Sequence, residues 1–199
     1  MAERLIIATH NRGKAQEIRS ILGSTQWTIA SLEDFQQVGE ASEHEETFAG
    51  NAVSKASYYA SAIGEWVLAD DSGLEVMALD GAPGVRSARY AGPGASDSER
   101  RARLLSELAL RGSNDRSARF ICAAALAKSN GEVVKVTEGI CDGVISESPR
   151  GISGFGYDPI FVPNGYDLTF GELSEKIKNR ISHRARAILA MRAFLLDLR

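Results

Sequence analysis

A mixed β-sheet covered by helices is the architecture this α/β sequence predicts. Three observations carry it. Strand-like and helix-like segments alternate through the first half, a long hairpin pattern follows around Asn130-Gly131, and 199 residues suffice for one large domain with a sizeable core.

Leu5-Ile6-Ile7-Ala8 is a continuous apolar run suited to a buried strand, and from Lys14 onward Ile18, Ile21 and Leu22 recur at helical spacing until Gly23. Trp27 to Ala30 reads as a second strand, and Glu33 to Glu46 as an acidic loop. Thr47 caps a helix that turns Phe48, Ala52, Val53, Ala56 and Tyr59 toward a core and stops at Gly64. Trp66 to Ala69 reads as a buried strand ending in Asp70 and Asp71, with Leu74 to Leu79 as an adjoining strand closed by turn residues. Ser96-Asp97-Ser98-Glu99 is a capping box, and its helix presents Leu104, Leu105 and Leu108 before Gly112. Arg119 to Lys128 and Glu132 to Ile145 flank Asn130-Gly131 as a hairpin with a two-residue turn. A final helix from about His183 buries Ile188, Met191, Leu195 and Leu198. There is no repeat, low-complexity tract or long linker, so residues 1–199 are expected to form a single two-lobed domain.

The charges nearly balance, 23 Lys and Arg against 26 Asp and Glu, and they are interspersed. No long basic face tracks a nucleic-acid backbone, which argues against a polymeric nucleic-acid partner but leaves an anionic small molecule open. Two distant cysteines and three scattered histidines do not make a zinc motif, and reduced core thiols are expected. Met1 to Ile7 is neither a signal nor a transit peptide, and no apolar stretch approaches the roughly 18 residues that span a bilayer. A cytoplasmic protein with no membrane segment is expected.

Four polar segments carry the chemistry. In Thr9-His10-Asn11-Arg12-Gly13-Lys14, backbone N–H groups at a helix start and the Lys14 charge suit a phosphate. It is not a P-loop, because Ala8 stands where the first glycine belongs and Ala15 follows the lysine. In Asp70-Asp71-Ser72-Gly73, adjacent strand side chains point to opposite faces, so one aspartate can enter a site while the other supports a neighbouring loop. Two adjacent carboxylates need a cation or donors nearby. Magnesium, which takes one or two carboxylates plus water and phosphate, would supply the cation, with a second ligand from Glu43-His44-Glu45-Glu46. Asn51 and Lys55 share a helix face one turn apart. Phe155, between glycines in Gly154-Phe155-Gly156-Tyr157-Asp158-Pro159, reads either as a stacking platform for a base or as a buried anchor. Ser182-His183-Arg184 combines a cap with donors suited to oxygen acceptors.

In this order the segments resemble the inosine triphosphate pyrophosphatase family, which hydrolyses deaminated purine nucleoside triphosphates such as ITP, dITP and XTP. The resemblance runs nearly the whole chain and includes Thr47-Phe48-x-x-Asn51-Ala52-x-x-Lys55-Ala56 and Gly81-Ala82-Pro83-Gly84-Val85-x-Ser87-Ala88-Arg89-Tyr90. It implies an elongated α/β protein with a mixed sheet and an active-site cleft between two lobes, a homodimer, and a magnesium-dependent attack of water at the α-phosphorus that releases monophosphate and pyrophosphate. By motif, Asp71 corresponds to the catalytic base and magnesium-site aspartate, with Glu43 as companion carboxylate. Thr9, His10, Asn11, Arg12, Gly13, Lys14, Lys55, Ser72 and Lys178 would hold the triphosphate, and Phe155, Gly156, Tyr157, Asp158, His183 and Arg184 the base. Two positions depart from the pattern. Gly50 stands where bacterial members often have glutamate, leaving Glu43 and Glu46 as candidates for the second acid. Arg86 replaces a common tyrosine in a stretch expected near the dimer contact. The alternatives are a pyrophosphatase for pyrimidine or modified nucleotides, and a nucleotide-binding module without turnover.

Overall fold

The computed structural model describes residues 3–198. Its elements are β1 (Arg4–Ala8), α1 (Arg12–Leu22), β2 (Thr28–Ser31), α2 (Phe48–Ile63), β3 (Trp66–Val76), α3 (Asp97–Arg111), β4 (Ser117–Ala127), β5 (Val133–Ile145), β6 (Phe161–Pro163), α4 (Glu175–Ile181) and α5 (His183–Asp197), with short 3-10 turns between some of them. The strands form a six-stranded sheet in the order β2-β1-β3-β4-β5-β6. β1 runs parallel to both β2 and β3, and β5 is antiparallel to β6, so the expected mixed α/β sheet with flanking helices is borne out. A strand between two parallel neighbours has helices over its faces and must be apolar on both. Leu5 to Ala8 meets that requirement, with every side chain buried.

The chain divides into two compact units. The first comprises Met1–Asp71, Cys122–Gly139 and His183–Arg199. Its core gathers Leu5, Ile7, Ile18, Leu22 and Leu68 with Cys122, Leu126, Ile188, Met191 and Leu195. The second comprises Ser72–Ile121 and Ile140–Ser182, around Leu74, Leu104, Leu108, Ile160 and three phenylalanines. Phe161 stacks on Phe170 with ring centroids 5.3 Å apart and meets Phe120 edge-on at 4.7 Å.

Local sequence accounts for the helix ends. Asn11 accepts the Lys14 N–H, Thr47 the Gly50 N–H and Ser174 the Ile177 N–H, and Ser96 with Glu99 forms the full capping box. In the first unit Gly139 permits a close approach that no other residue would. A Cβ there would fall 2.1 Å from the His183 carbonyl oxygen and 2.6 Å from the Ala187 nitrogen, so α5 packs directly on the β5 backbone.

Three expectations need correction. Asp70 and Asp71 do not end a strand: β3 runs unbroken through them to Val76, and the stretch expected as an adjoining strand is its second half plus a 3-10 turn at Met77–Leu79. Lys14, Lys55 and Arg184 lie against the two carboxylates, so the charges do not interrupt the sheet. The hairpin turn holds three residues rather than two, because the Lys128 N–H donates to Glu132 O at 2.9 Å and the Gly131 N–H to Lys128 O at 2.8 Å. Gly131 takes a positive φ of 85°, as a three-residue loop of this kind requires. Finally, α4 was not foreseen, since seven residues are too few to show a helical period. Both cysteines are free and buried, as expected. Among the described residues no helix is long and apolar enough to cross a membrane.

Candidate active site

Successive strand residues face opposite ways, and β3 uses this to give its two aspartates different surroundings. Asp71 lies against α2: its Oδ2 accepts from Asn51 Nδ2 at 3.0 Å and its Oδ1 from Lys55 Nζ at 3.3 Å. The same ammonium donates to Glu43 Oε1 at 2.8 Å. Asn51 and Lys55 are one turn apart, so one face of α2 delivers both donors, as their spacing suggested. Asn51 also fixes the acidic loop, accepting the Glu45 N–H at 3.1 Å and donating to the Glu45 carbonyl at 3.3 Å. Lys55 is buried, which excludes a solvated surface lysine. Its pKa is raised, because Asp71, Asp70 and Glu43 outweigh the burial that favours the neutral amine. Burial is the first cause of a raised Asp71 pKa, with Glu43 and Asp70 adding to it while Lys55 and Lys14 pull it down.

Asp70 sits in a different cluster of the same unit. Lys14 Nζ is 3.1 Å from its Oδ2, and Arg184 approaches the same oxygen with Nε at 3.3 Å and Nη2 at 3.4 Å. Arg184 reaches Glu17 with its remaining arm, Nη1 to Oε2, at 2.5 Å. Burial opposes the Asp70 charge, yet Lys14, Arg184 and Lys55 hold the carboxyl well below the usual carboxylate range. The neighbouring Cys122 thiol is pushed up to about 12 by burial and the Asp70 charge, so it stays protonated and inert.

In the loop ahead of α1, the Asn11 N–H donates to Thr9 Oγ1 at 3.2 Å and His10 Nε2 lies 3.3 Å from the Tyr59 hydroxyl. Thr9, His10 and Arg12 line part of an open cavity of about 580 Å³. Gly13 is in the first turn of α1, and Ser72 follows Asp71 in β3 and is half-buried.

The aromatic loop belongs to the second unit. Asp158 Oδ2 accepts the Phe155 N–H at 2.8 Å and the Lys178 ammonium at 2.5 Å, and that ammonium lies 4.8 Å from the centre of the Phe155 ring. Tyr157 is buried and donates its hydroxyl to the Ser87 carbonyl at 3.0 Å. Phe155 is half-buried, neither a fully exposed platform nor a core anchor. Gly154 has φ 74°, and a Cβ there would lie 2.1 Å from Asp158 Oδ2. Gly154→Ala is therefore expected to displace Asp158 and to lower stability by about 1–2 kcal/mol through backbone strain. Urea unfolding measures this, and an unchanged midpoint would show that the loop absorbs a side chain at 154 without strain.

Lys55 thus contacts both Asp71 and Glu43, and Phe155, Asp158 and Lys178 form a second group. Lys178, expected at the phosphates, is 4% exposed and paired with Asp158. Arg184, expected at the base, is fully enclosed on Asp70 and Glu17, and His183 is buried at the start of α5. Sequence reasoning did not assign Asn51, Glu17 or Asp70 a site role. Glu17 is one turn from Lys14, a usable signal, but its partner lies 167 residues away. Gly50 also has a local reason: a Cβ there would meet Glu45 Cβ at 2.9 Å, so a larger residue requires that loop to move.

The carboxylates present suit a hard divalent cation such as magnesium. Glu43 and Asp71 already converge on one positive charge, that of Lys55. Among the described residues no group of three or more His, Cys, Asp or Glu could hold a metal, and a carboxylate pair such as Glu43 and Asp71 fits the sparse protein coordination typical of magnesium.

A mixed α/β sheet bearing a buried carboxylate–lysine cluster beside a helix-start loop defines a class of α/β protein equipped for anionic ligands. Within it, the chain belongs to the Ham1 family, whose model matches residues 5–194. It is 52% identical to a dITP/XTP pyrophosphatase of Gloeobacter violaceus over 94% of this chain and 92% of that protein. It is 47% identical to one from Geobacter sulfurreducens over 96% of each. The structure of a HAM1 protein from Coxiella burnetii superimposes with a TM-score of 0.90 at 37% identity, covering 98% of this chain and all of the other. The resemblance drawn from the motifs is borne out.

Proposed function

We propose that this protein hydrolyses deaminated purine nucleoside triphosphates, dITP, ITP and XTP, to monophosphate and pyrophosphate by attack of water at the α-phosphorus. The observation that carries the reading is the contact of Asp71 with Lys55 and Asn51, with Glu43 on the same ammonium. Asp71 takes the proton of the attacking water, a task its raised pKa favours. Lys14 and Lys55, with the donors of Thr9 to Gly13 and Ser72, offset the charge of the triphosphate. Glu43 and Asp71 would hold magnesium, which when bound supplies further neutralisation of phosphate charge. Phe155 stacks on the base, Tyr157 and Asp158 shape the loop, and Lys178 holds Asp158 in place. His183 donates to the oxygen at position 6, where adenine carries an amino group, and a donor left unpaired by adenine costs about 1–3 kcal/mol. We assign Arg184 to holding Asp70 and, through it, Lys14. The protein is proposed to act as a cytoplasmic homodimer, each chain one catalytic domain.

Purified protein incubated separately with dITP, XTP, dGTP and dATP, with magnesium and with EDTA, tests the reading by product chromatography. Monophosphate plus pyrophosphate from dITP and XTP, abolished by EDTA, is expected. Diphosphate plus orthophosphate would replace the proposed reaction with γ-phosphoryl hydrolysis, and absence of turnover would favour a binding module.

A further inference from the structure

We propose that Asp97 and Arg101, on the first turns of α3, are positioning residues that set base specificity by fixing the two peptide bonds of Gly156. The inference rests on the reading of Phe155 as the base platform. Gly156 N–H, which belongs to the bond joining it to Phe155, donates to Asp97 Oδ2 at 2.7 Å. Gly156 C=O, in the bond joining it to Tyr157, accepts from Arg101 Nη1 at 2.6 Å. Gly156 has φ 60° and a Cβ there would meet nothing within 4 Å, so side-chain packing does not hold this link. A glycine so placed is a swivel unless its polar groups are tied.

The ties are charge-assisted and braced. Asp97 is partly buried, and donation from Gly156 and Arg100 overrides that burial to hold its carboxyl below the usual range. Arg100 also donates to the Ala88 and Ala95 carbonyls at 2.8 and 2.6 Å, anchoring the start of α3. On the other side of Phe155, its own N–H is held by Asp158. The ring therefore projects from a backbone fixed by one carboxylate before it and by a carboxylate and a guanidinium after it.

The test compares kcat/KM for dITP and dATP in the wild type, Asp97→Ala, Asp97→Asn, Arg101→Met and Phe155→Ala, with thermal stability measured on each. Asp97→Ala and Arg101→Met are expected to lower the dITP-to-dATP ratio at least about tenfold, mainly through KM for dITP, since misplacement of a positioning group by about 1 Å has effects of this size or larger. Asp97→Asn keeps an oxygen acceptor for the Gly156 N–H and should retain most of the ratio. If Phe155→Ala loses discrimination while Asp97→Ala and Arg101→Met keep it, the positioning role is overturned and the base platform stands. If Phe155→Ala itself keeps discrimination, the platform reading fails and this inference fails with it. Equal losses for both nucleotides, or a lowered melting temperature at an unchanged ratio, would show a purely structural role and equally overturn it. The two variants remove different bonds, so failure of either to fold leaves the other decisive.

Discussion

Asp71→Asn is expected to cut turnover of dITP by about 10²- to 10⁴-fold while nucleotide binding is largely kept, because the change removes a proton acceptor without changing size. The surroundings sharpen the expectation. Asp71 receives donors on both oxygens, from Asn51 and from Lys55. An amide offers one oxygen, so in either orientation its NH2 group faces a donor, and a modest loss of stability should accompany the kinetic one. Lys55 retains Glu43, which keeps that ammonium paired and in place. Single-turnover hydrolysis beside calorimetric binding of nucleotide separates the two effects. Turnover at the wild-type rate would remove Asp71 from the chemistry.

Asp70→Asn is expected to have the largest effect on stability, about 3–5 kcal/mol, because it breaks a buried ion pair and leaves Arg184 with half its compensation. The pH dependence has a definite sign. Native Asp70 is held below its unfolded value of about 4, so ionised Asp70 contributes stability that is fully present above that value and is lost as pH falls through the native one. Urea unfolding of the wild type should therefore show stability declining below about pH 4, and the variant should start lower and show a shallower acid limb. Equal acid limbs would mean that other carboxylates govern acid unfolding.

Much of this was legible because it depends on local chemistry. Helix caps at Asn11, Thr47, Ser96 and Ser174 satisfy the orphan N–H groups of the turns they precede, and three of those helices were located correctly from caps and periodicity alone. The shared face of Asn51 and Lys55 follows from helical geometry. The continuity of β3 did not show, because a strand carrying Asp70 and Asp71 is stable only with cations delivered from α1, α2 and α5, and no local pattern reports them. The three-residue turn differs from a two-residue one by a single position, and Asn130-Gly131 is compatible with both. Asp97 read as part of a capping box, but its bond to Gly156, 59 residues away, is a tertiary fact.

The first unit closes its core with Ile188, Met191 and Leu195 of α5, and Asp70 meets Arg184 only across 114 residues of intervening chain. During synthesis, then, the nascent polypeptide carries Lys14 and Asp70 long before Arg184 has left the ribosome, whereas Asp71 follows its partners Asn51 and Lys55, and every residue of the second unit has been made by Ser182. At about 5–20 residues per second the gap lasts several seconds, in which the apolar face of α1 lacks its cover and the Asp70 carboxylate lacks its guanidinium. The last helix therefore completes this environment late: a chain halted before α5 carries Asp70 without Arg184 and the apolar face of α1 without its cover.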